Sequence, residues 1–318
     1  MKKTRILITG EKGQIGTVLK EKLSEKFGKN NVFSSDIRLE DNQEKNEFCL
    51  DVLDKEKLHF IIEKYKITQI YHLAALLSGV AEKKPEMAWQ INTTGLVYVL
   101  EAGVKYKLDK IFAPSSIAVF GEGINKKNTL QHSELLPSSI YGISKVANEL
   151  WHKYYFEKHG LDVRSIRYPG IIGYSSLPGG GTTDWAVEIF HEAIKNNHYN
   201  CFLKDDTSLP MILMSDALKA TLDIMDAPKE SIKIRTSYNL ASQSFNPKQI
   251  AELIKKYQKD FTIDYNPDFR QAIADSWPQQ IDDSDAKKDW NWKPQYNMEE
   301  MVDIMYTNIK KLYKAKTV

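Results

Sequence analysis

Through the first half of the chain, short β-branched apolar runs alternate with longer segments whose apolar positions recur every three to four residues. The runs Arg5–Thr9, Val32–Ser35, Gln69–Leu73, Lys110–Pro114 and Val163–Tyr168 predict strands. The segments 14–27, 54–65, 84–106 and 139–159 predict helices. Strands separated by helices of this size form βαβ units, so the pattern predicts an α/β fold with a doubly wound parallel sheet. The run Leu96, Val97, Val99, Leu100, Ala102, Gly103 and Val104 is apolar on more than one helical face, which predicts a helix that is buried or part of an interface.

After Tyr168-Pro169-Gly170 the texture changes. A Pro/Gly-rich stretch, Leu177-Pro178-Gly179-Gly180-Gly181, precedes a helical pattern from Trp185 to Lys195. A strand-like Arg235–Leu240 and helices near 246–259 and 298–314 follow. This places a domain boundary near 170, with residues 1–170 forming one domain and 171–318 mainly a second, smaller α/β domain, some later elements returning to the first. The Lys310-Lys311-Leu312-Tyr313-Lys314 cluster reads as a solvated helix end.

Composition narrows the class. The 318 residues are 42% hydrophobic and 11% aromatic, enough for a sizeable core, which excludes disorder and a disulfide scaffold. With 44 Lys plus Arg against 42 Asp plus Glu, the formal charge is +2, without the basic excess of a nucleic-acid binder. Cys49 and Cys201 fit no metal spacing and read as unpaired core thiols of a reducing compartment. Only Ile6-Leu7-Ile8 follow the two N-terminal lysines before polar residues return, too short for a secretory signal, and no run approaches a membrane span. The expectation is a soluble, cytoplasmic protein with no membrane or nucleic-acid partner.

Gly10-Glu11-Lys12-Gly13-Gln14-Ile15-Gly16 follows the first strand and opens the first helix. That context suits a pyrophosphate: Gly10 allows a tight turn, Gly13 a close approach of backbone to phosphate, and Gly16 close packing of helix on strand. The helix start, with Gln14 and Ile15, adds free N–H groups and partial positive charge. Asp36 ends the second strand, twenty positions beyond Gly16, where a carboxylate accepts hydrogen bonds from an adenosine ribose and repels a 2′-phosphate. Arg38 pulls the other way, since an arginine there welcomes that phosphate; the position of Asp36 favours NAD. Asp51-Val52 admits two readings, a contact with adenine or an acidic helix cap.

Tyr141-Gly142-Ile143-Ser144-Lys145 puts tyrosine and lysine on one helical face. The same spacing occurs at Tyr106, Tyr154 and Tyr306, but only Tyr141 begins a helix shortly after a strand that ends in Ser115-Ser116-Ile117-Ala118-Val119-Phe120-Gly121. Such a trio suits proton transfer coupled to hydride transfer. A nearby ammonium favours the phenolate of a tyrosine whose free pKa is about 10, and a serine hydroxyl holds the substrate oxygen. Ser115 and Ser116 compete for that last role. Two scattered cysteines and seven histidines without a His-Glu-x-x-His spacing leave no credible zinc site.

With these residues the sequence resembles the extended short-chain dehydrogenase/reductase superfamily. The resemblance rests on the Gly10/Gly13/Gly16 turn, His72-Leu73-Ala74-Ala75, Asn92, Ser115–Gly121, Tyr141/Lys145 and Arg167-Tyr168-Pro169-Gly170. It implies a Rossmann-type domain and the hydroxyl five residues before Gly121, which is Ser116. It also implies that Leu73, Ala74 and Ala75 pass beneath the cofactor, that Asn92 braces the buried helix, and that Tyr168 adds a cofactor contact. Phe120 stands where many members have tyrosine. The superfamily alone does not name a substrate, since epimerases, dehydratases and reductases share it.

The second half is similar to the zinc-independent L-threonine 3-dehydrogenases of that superfamily. The matching segments include Leu76-Leu77-Ser78, Pro178-Gly179-Gly180-Gly181-Thr182-Thr183-Asp184, Leu209-Pro210-Met211, Ile273-Ala274-Asp275-Ser276-Trp277-Pro278 and Asp289-Trp290-Asn291-Trp292-Lys293-Pro294. This resemblance implies oxidation of L-threonine to 2-amino-3-oxobutyrate, which a CoA-dependent ligase cleaves to glycine and acetyl-CoA. It implies substrate contacts from Ser78, Ser116, Tyr141, Gly180, Thr182 and Trp277, and a homodimer paired through the 84–106 and 139–159 helices. The competing expectations are a nucleotide-sugar epimerase or dehydratase, and an NAD-binding sensor without catalysis.

Overall fold

The structure, a computed structural model, describes residues 3–40, 45–175, 177–179 and 181–315. It falls into two compact units. The first takes its residues from Met1–Val119, Pro137–Arg167 and Ala220–Tyr238, the second from Phe120–Leu136, Tyr168–Lys219 and Asn239–Val318.

Elements of the first unit run β1 (Ile6–Thr9), α1 (Gln14–Phe27), β2 (Val32–Asp36), β3 (Glu47–Cys49), α2 (Lys55–Tyr65), β4 (Gln69–His72), α3 (Ser78–Ala81) and α4 (Pro85–Trp89). After α4 come α5 (Gly95–Lys105), β5 (Lys110–Phe112), β6 (Ser115–Ser116), α6 (Ile140–His159), β7 (Val163–Arg164) and β8 (Ile166–Tyr168). Six strands form one parallel sheet in the order β3-β2-β1-β4-β5-β7, with Ile6 paired to both Val32 and Gln69. Ile6, Leu7 and Ile8 are fully buried, as a strand covered on both faces requires. Leu58, Ile61 and Ile62 of α2 and Leu96, Val99 and Leu100 of α5 recur at helical spacing and pack with Leu7, Phe33 and Ile70 of the sheet. Truncating one of these, Leu100→Ala, costs about 2–5 kcal/mol.

Several elements differ from the sequence expectation. The 84–106 helix is broken by a π-turn over Gln90–Thr94 between α4 and α5. The expected strand Val163–Tyr168 divides at Ser165, and only Val163–Arg164 joins the main sheet. Asp54, not Asp51, caps α2, accepting from Lys57 N at 2.9 Å. Cys49 is half-buried rather than a core thiol, whereas Cys201 is buried; neither is in a disulfide.

The second unit contributes β9 (Gly170–Ile172), α7 (Trp185–Asn196), β10 (His198–Cys201), β11 (Leu209–Leu213) and β13 (Gln243–Phe245), while α8 (Met214–Asp226) and β12 (Tyr238–Asn239) are divided between the units. It ends with α9 (Pro247–Ile254), β14 (Thr262–Tyr265), α10 (Arg270–Ser276), α11 (Ser284–Trp290) and α12 (Met298–Ala315). Its sheets are β13-β11-β9 and the parallel pair β10-β14. Trp185 packs edge-on against Phe245, with ring centroids 6.0 Å apart, and Trp292 is buried with its indole N–H on Ala241 O at 3.1 Å. Residues 120–136, expected with the first domain, group with this unit because Thr129 pairs with Ile281 and donates to Gln280 O at 3.0 Å.

Residues from Ala220 to Tyr238 group with the first unit. Buried Arg164 explains much of this: its guanidinium donates to Ile224 O at 2.5 Å and Ala227 O at 2.7 Å, satisfying carbonyls at the end of α8, while Asp162 pairs with it at 2.8 Å. No described helix is long and apolar enough to cross a membrane.

Candidate active site

The turn between β1 and α1 closes flush on the end of β4. Gly10 has φ +77°, and a Cβ there would lie 2.6 Å from Ala74 N, so neither its conformation nor its surroundings admit a side chain. Gly16 sits against the Gly10 carbonyl, and Leu73 N donates to Thr9 O at 3.0 Å, carrying the β4 pairing one residue further. Gly13 is the N-cap of α1, with no side-chain cap and no acidic residue in the first turn, which leaves the helix start positive and suited to an anion. Asp36, 6% exposed, accepts from Lys12 N (3.0 Å), Arg38 N (3.0 Å), Arg38 Nε (2.9 Å) and Arg38 Nη2 (3.1 Å). Burial opposes its charge, but these bonds outweigh burial and hold the carboxyl below its usual range. Arg38 therefore forks onto Asp36 in this structure. Asp51 accepts from Leu53 N at 3.0 Å in a local turn, and Val52 is buried against Gly95.

Asn92 lies in the π-turn, a common place for functional side chains. Its amide accepts from Leu76 N at 2.8 Å and donates to Leu76 O at 3.0 Å, so it braces the 73–76 segment. A weaker contact to Ser144 Oγ at 3.4 Å ties it to α6.

α6 begins beside the serine segment. Ser139 caps it through Gly142 N at 3.1 Å. A Cβ on Gly142 would lie 2.2 Å from Ala118 O, and this close approach sets the helix start against residues 115–119. Tyr141 is thereby set beside the Ser116 hydroxyl. Burial pushes the phenol up to about 12, with the Ser116 hydroxyl opposing. One turn on, Lys145 is 6% exposed, its Nζ 5.6 Å from the Tyr141 ring centroid and donating to Pro114 O at 2.7 Å. Burial brings Lys145 down to about 8, with Glu149 opposing. Ser115 faces elsewhere and donates to Glu149 Oε1 at 2.6 Å. The geometry thus separates the two serines: Ser116 meets Tyr141, and Ser115 does not serve it directly.

Of the expected substrate contacts, Ser78 opens α3 and is half-buried in the first unit. Thr182 is 3% exposed in the second, next to Gly181, whose N–H donates to Asp184 Oδ2 at 2.8 Å. Trp277, 7% exposed, follows α10 and lines a polar recess of the second unit with Lys126, Lys204, Asp206, Ser208 and Asp275. Tyr168 is buried in the same unit. Met211 is fully buried and paired with Gly170 across β11 and β9, a packing position. Gly180 lies outside the described residues. Among the described residues no group of three His, Cys, Asp or Glu side chains is placed to hold a metal ion.

Residues 6–241 match the model of the NAD dependent epimerase/dehydratase family. The chain belongs to this family. Within it, the chain is 45% identical to the mitochondrial L-threonine 3-dehydrogenase of Bos taurus over 305 residues, 95% of this chain and 81% of that one. The solved holo form of a GalE-like L-threonine dehydrogenase from Cupriavidus necator superposes with a TM-score of 0.93 at 46% identity, covering 96% and 100% of the two chains. A monomeric L-threonine 3-dehydrogenase from a metagenome, in its apo form, gives 0.93 at 45% identity over 96% and 99%.

This epimerase/dehydratase family member also carries site residues that the sequence reading missed. Glu149 follows Lys145 by four positions, which in sequence reads as an exposed helical pair; it is in fact 1% exposed and ion-paired with buried Arg167. In sequence His72 stands out only as part of a matching segment. Its Nδ1 is 2.8 Å from Thr9 Oγ1, and burial holds it neutral, down to about 3. His152, on α6, is likewise brought down to about 4 by burial. No sequence signal separates these histidines from surface ones.

Proposed function

We propose that the protein is an L-threonine 3-dehydrogenase: L-threonine and NAD⁺ give 2-amino-3-oxobutyrate, NADH and a proton. The observation that supports this best is Ser116 beside Tyr141, with Lys145 one turn away, in a chain similar along almost its whole length to threonine dehydrogenases. The residues present suit NAD. Gly10 leaves no room for a side chain beside Ala74, the start of α1 is uncapped and lacks acids, and Asp36 is an ionised, buried carboxylate with Arg38 folded onto it. Gly10, Gly13, Gln14, Ile15 and Gly16 would hold the pyrophosphate, Asp36 the ribose, and Leu73, Ala74 and Ala75 the nicotinamide side, with Asn92 bracing them. Bound there, the cofactor supplies the hydride acceptor and a positive ring near the phenol.

The chain's own residues handle the proton. Ser116 holds the O3 hydroxyl of the substrate, and Tyr141 takes its proton. Its phenol, high in the free protein, needs the Lys145 ammonium and the positive ring to ionise. Ser78, Thr182, the Gly180 segment and Trp277 are assigned to the amino acid's charged end and to exclusion of water. The product would feed a CoA-dependent ligase in the cytoplasm.

We also place a homodimer here, since Ile143, Leu150 and Tyr154 of α6 and Met87 and Trp89 of α4 are 38–61% exposed apolar residues. A monomer mass in light scattering would refute that part. The activity is tested by NADH formation with L-threonine, L-allo-threonine, L-serine and UDP-galactose side by side. L-Threonine turns over; inversion at C3 blocks the reaction; L-serine, lacking the methyl, is slower by roughly 10–200-fold. Turnover of the sugar nucleotide with none of L-threonine would establish an epimerase instead.

A further inference from the structure

A buried ion pair lies behind the Ser116–Tyr141–Lys145 trio. Glu149, 1% exposed, stands one helical turn past Lys145 on α6. Its carboxylate receives Arg167 Nε at 2.9 Å and Nη2 at 2.7 Å from β8, and Ser115 Oγ at 2.6 Å from β6. Ser115 is the immediate neighbour of Ser116, so one carboxylate reaches both elements that carry the trio. As a device for stability alone such a pair gains little, because apolar residues of the same volume often serve as well.

We infer that Glu149 is a positioning residue for the reaction, fixing the Ser116 strand through Ser115 and holding Lys145 as an ammonium beside Tyr141. The inference rests on the dehydrogenase reading of the trio. The surroundings of Lys145 single out this carboxylate. From α6 it faces Tyr141, Glu149 and His152; from β4, His72; Arg167 on β8 stands behind Glu149. His72 and His152 are neutral across the working pH range, since burial keeps them at about 3 and about 4. Burial drives Lys145 toward its neutral form, and the charge on Glu149 pulls it back.

Two variants test the two halves. Glu149→Gln combined with Arg167→Gln removes both charges and leaves no lone buried arginine. Ser115→Ala breaks the tie and leaves the ion pair. Lys145 is titrated directly through its ¹³Cε signal in lysine-labelled protein, assigned with Lys145→Arg, next to pH profiles of threonine oxidation. In the double variant the Lys145 midpoint falls by about one to two pH units, and the alkaline limb of kcat/KM moves down with it. Ser115→Ala keeps the midpoint and the KM for NAD but loses kcat several-fold.

An unmoved midpoint in the folded double variant overturns the charge role, and wild-type kcat in Ser115→Ala overturns the tie. Should the double variant not fold, Glu149→Asp retains the charge and shortens the reach. It keeps the midpoint and lowers kcat, and wild-type kcat there overturns the inference. Absence of threonine oxidation in the wild type sinks the dehydrogenase reading alone, because the lysine titration still judges Glu149.

Discussion

In the first unit the chemically important side chains stand on regular structure and lean on buried partners. Tyr141 and Lys145 lie on α6, Ser116 on β6, and Asn92 is held at both ends of its amide by Leu76. In the second unit Thr182 lies in the turn before α7, and Trp277 follows α10 beside a recess edged by exposed Lys204 and Asp206. A frame of strands and helices preserves a reaction geometry, while turns can change without disturbing it. Under the proposed function, the contrast assigns the type of reaction to the first unit and the choice of substrate to loops of the second.

The sharpest way to break that contrast is Tyr141→Phe. Removing the ionisable oxygen at nearly constant volume should lower kcat by about 10³-fold, with NAD affinity unchanged in a fluorescence titration. Retention of more than roughly a tenth of wild-type turnover contradicts the role of general base. Stability separates the units next. Gly10→Ala forces a positive φ and a 2.6 Å overlap with Ala74 N, and should cost about 3 kcal/mol in urea unfolding. Gly179→Ala, with nothing within 4 Å among the described residues, should stay within about 0.5 kcal/mol.

Acid should weaken the first unit through its buried histidines. His72 and His152 stand at about 3 and about 4 when folded, below their ordinary 6.5, so between those values the unfolded chain binds protons that the folded one does not. Their contribution is fully present above the ordinary value and is lost as pH falls toward the folded ones, by up to about 1.4 kcal/mol per pH unit for each histidine. Urea midpoints from pH 7.5 down to 4.5 (about three units) read this, and a His72→Asn/His152→Asn pair should flatten the decline. The smallest effect belongs to the loops. Thr182→Ala should raise the KM for L-threonine about three- to tenfold, leaving the KM for NAD as it was. Equal loss of kcat would mean that the second unit shapes the reaction as well.

What could be read from sequence follows the same division. The turn from β1 into α1 was legible because its glycines, its strand and its helix start all demand one another. Tyr141 and Lys145 were legible once the serine segment separated them from three identical spacings. The π-turn at Gln90–Thr94 was not, since one extra residue hardly disturbs an apolar period averaged over twenty positions. β3 escaped because three residues, Glu47–Cys49, make no alternating pattern. Glu149 and its pairing with Arg167 escaped because charged residues in sequence carry no sign that both ends are buried. The grouping of 120–136 with the second unit depends on Thr129 meeting Ile281, a partner more than 150 positions away, which no local pattern announces.

Arg164 has a consequence for how the chain is made. Its guanidinium waits for carbonyls of Ile224, Met225 and Ala227, some sixty residues downstream. During synthesis β7 leaves the ribosome long before the end of α8 exists, so Arg164 has Asp162 but not its carbonyl acceptors while residues 168–219 of the other unit emerge. The first unit, although it opens the chain, cannot finish folding until residues up to Tyr238 have emerged. Cutting the gene after codon 170 would yield a fragment in which Arg164 keeps Asp162 but loses the helix end that it seals in the intact protein.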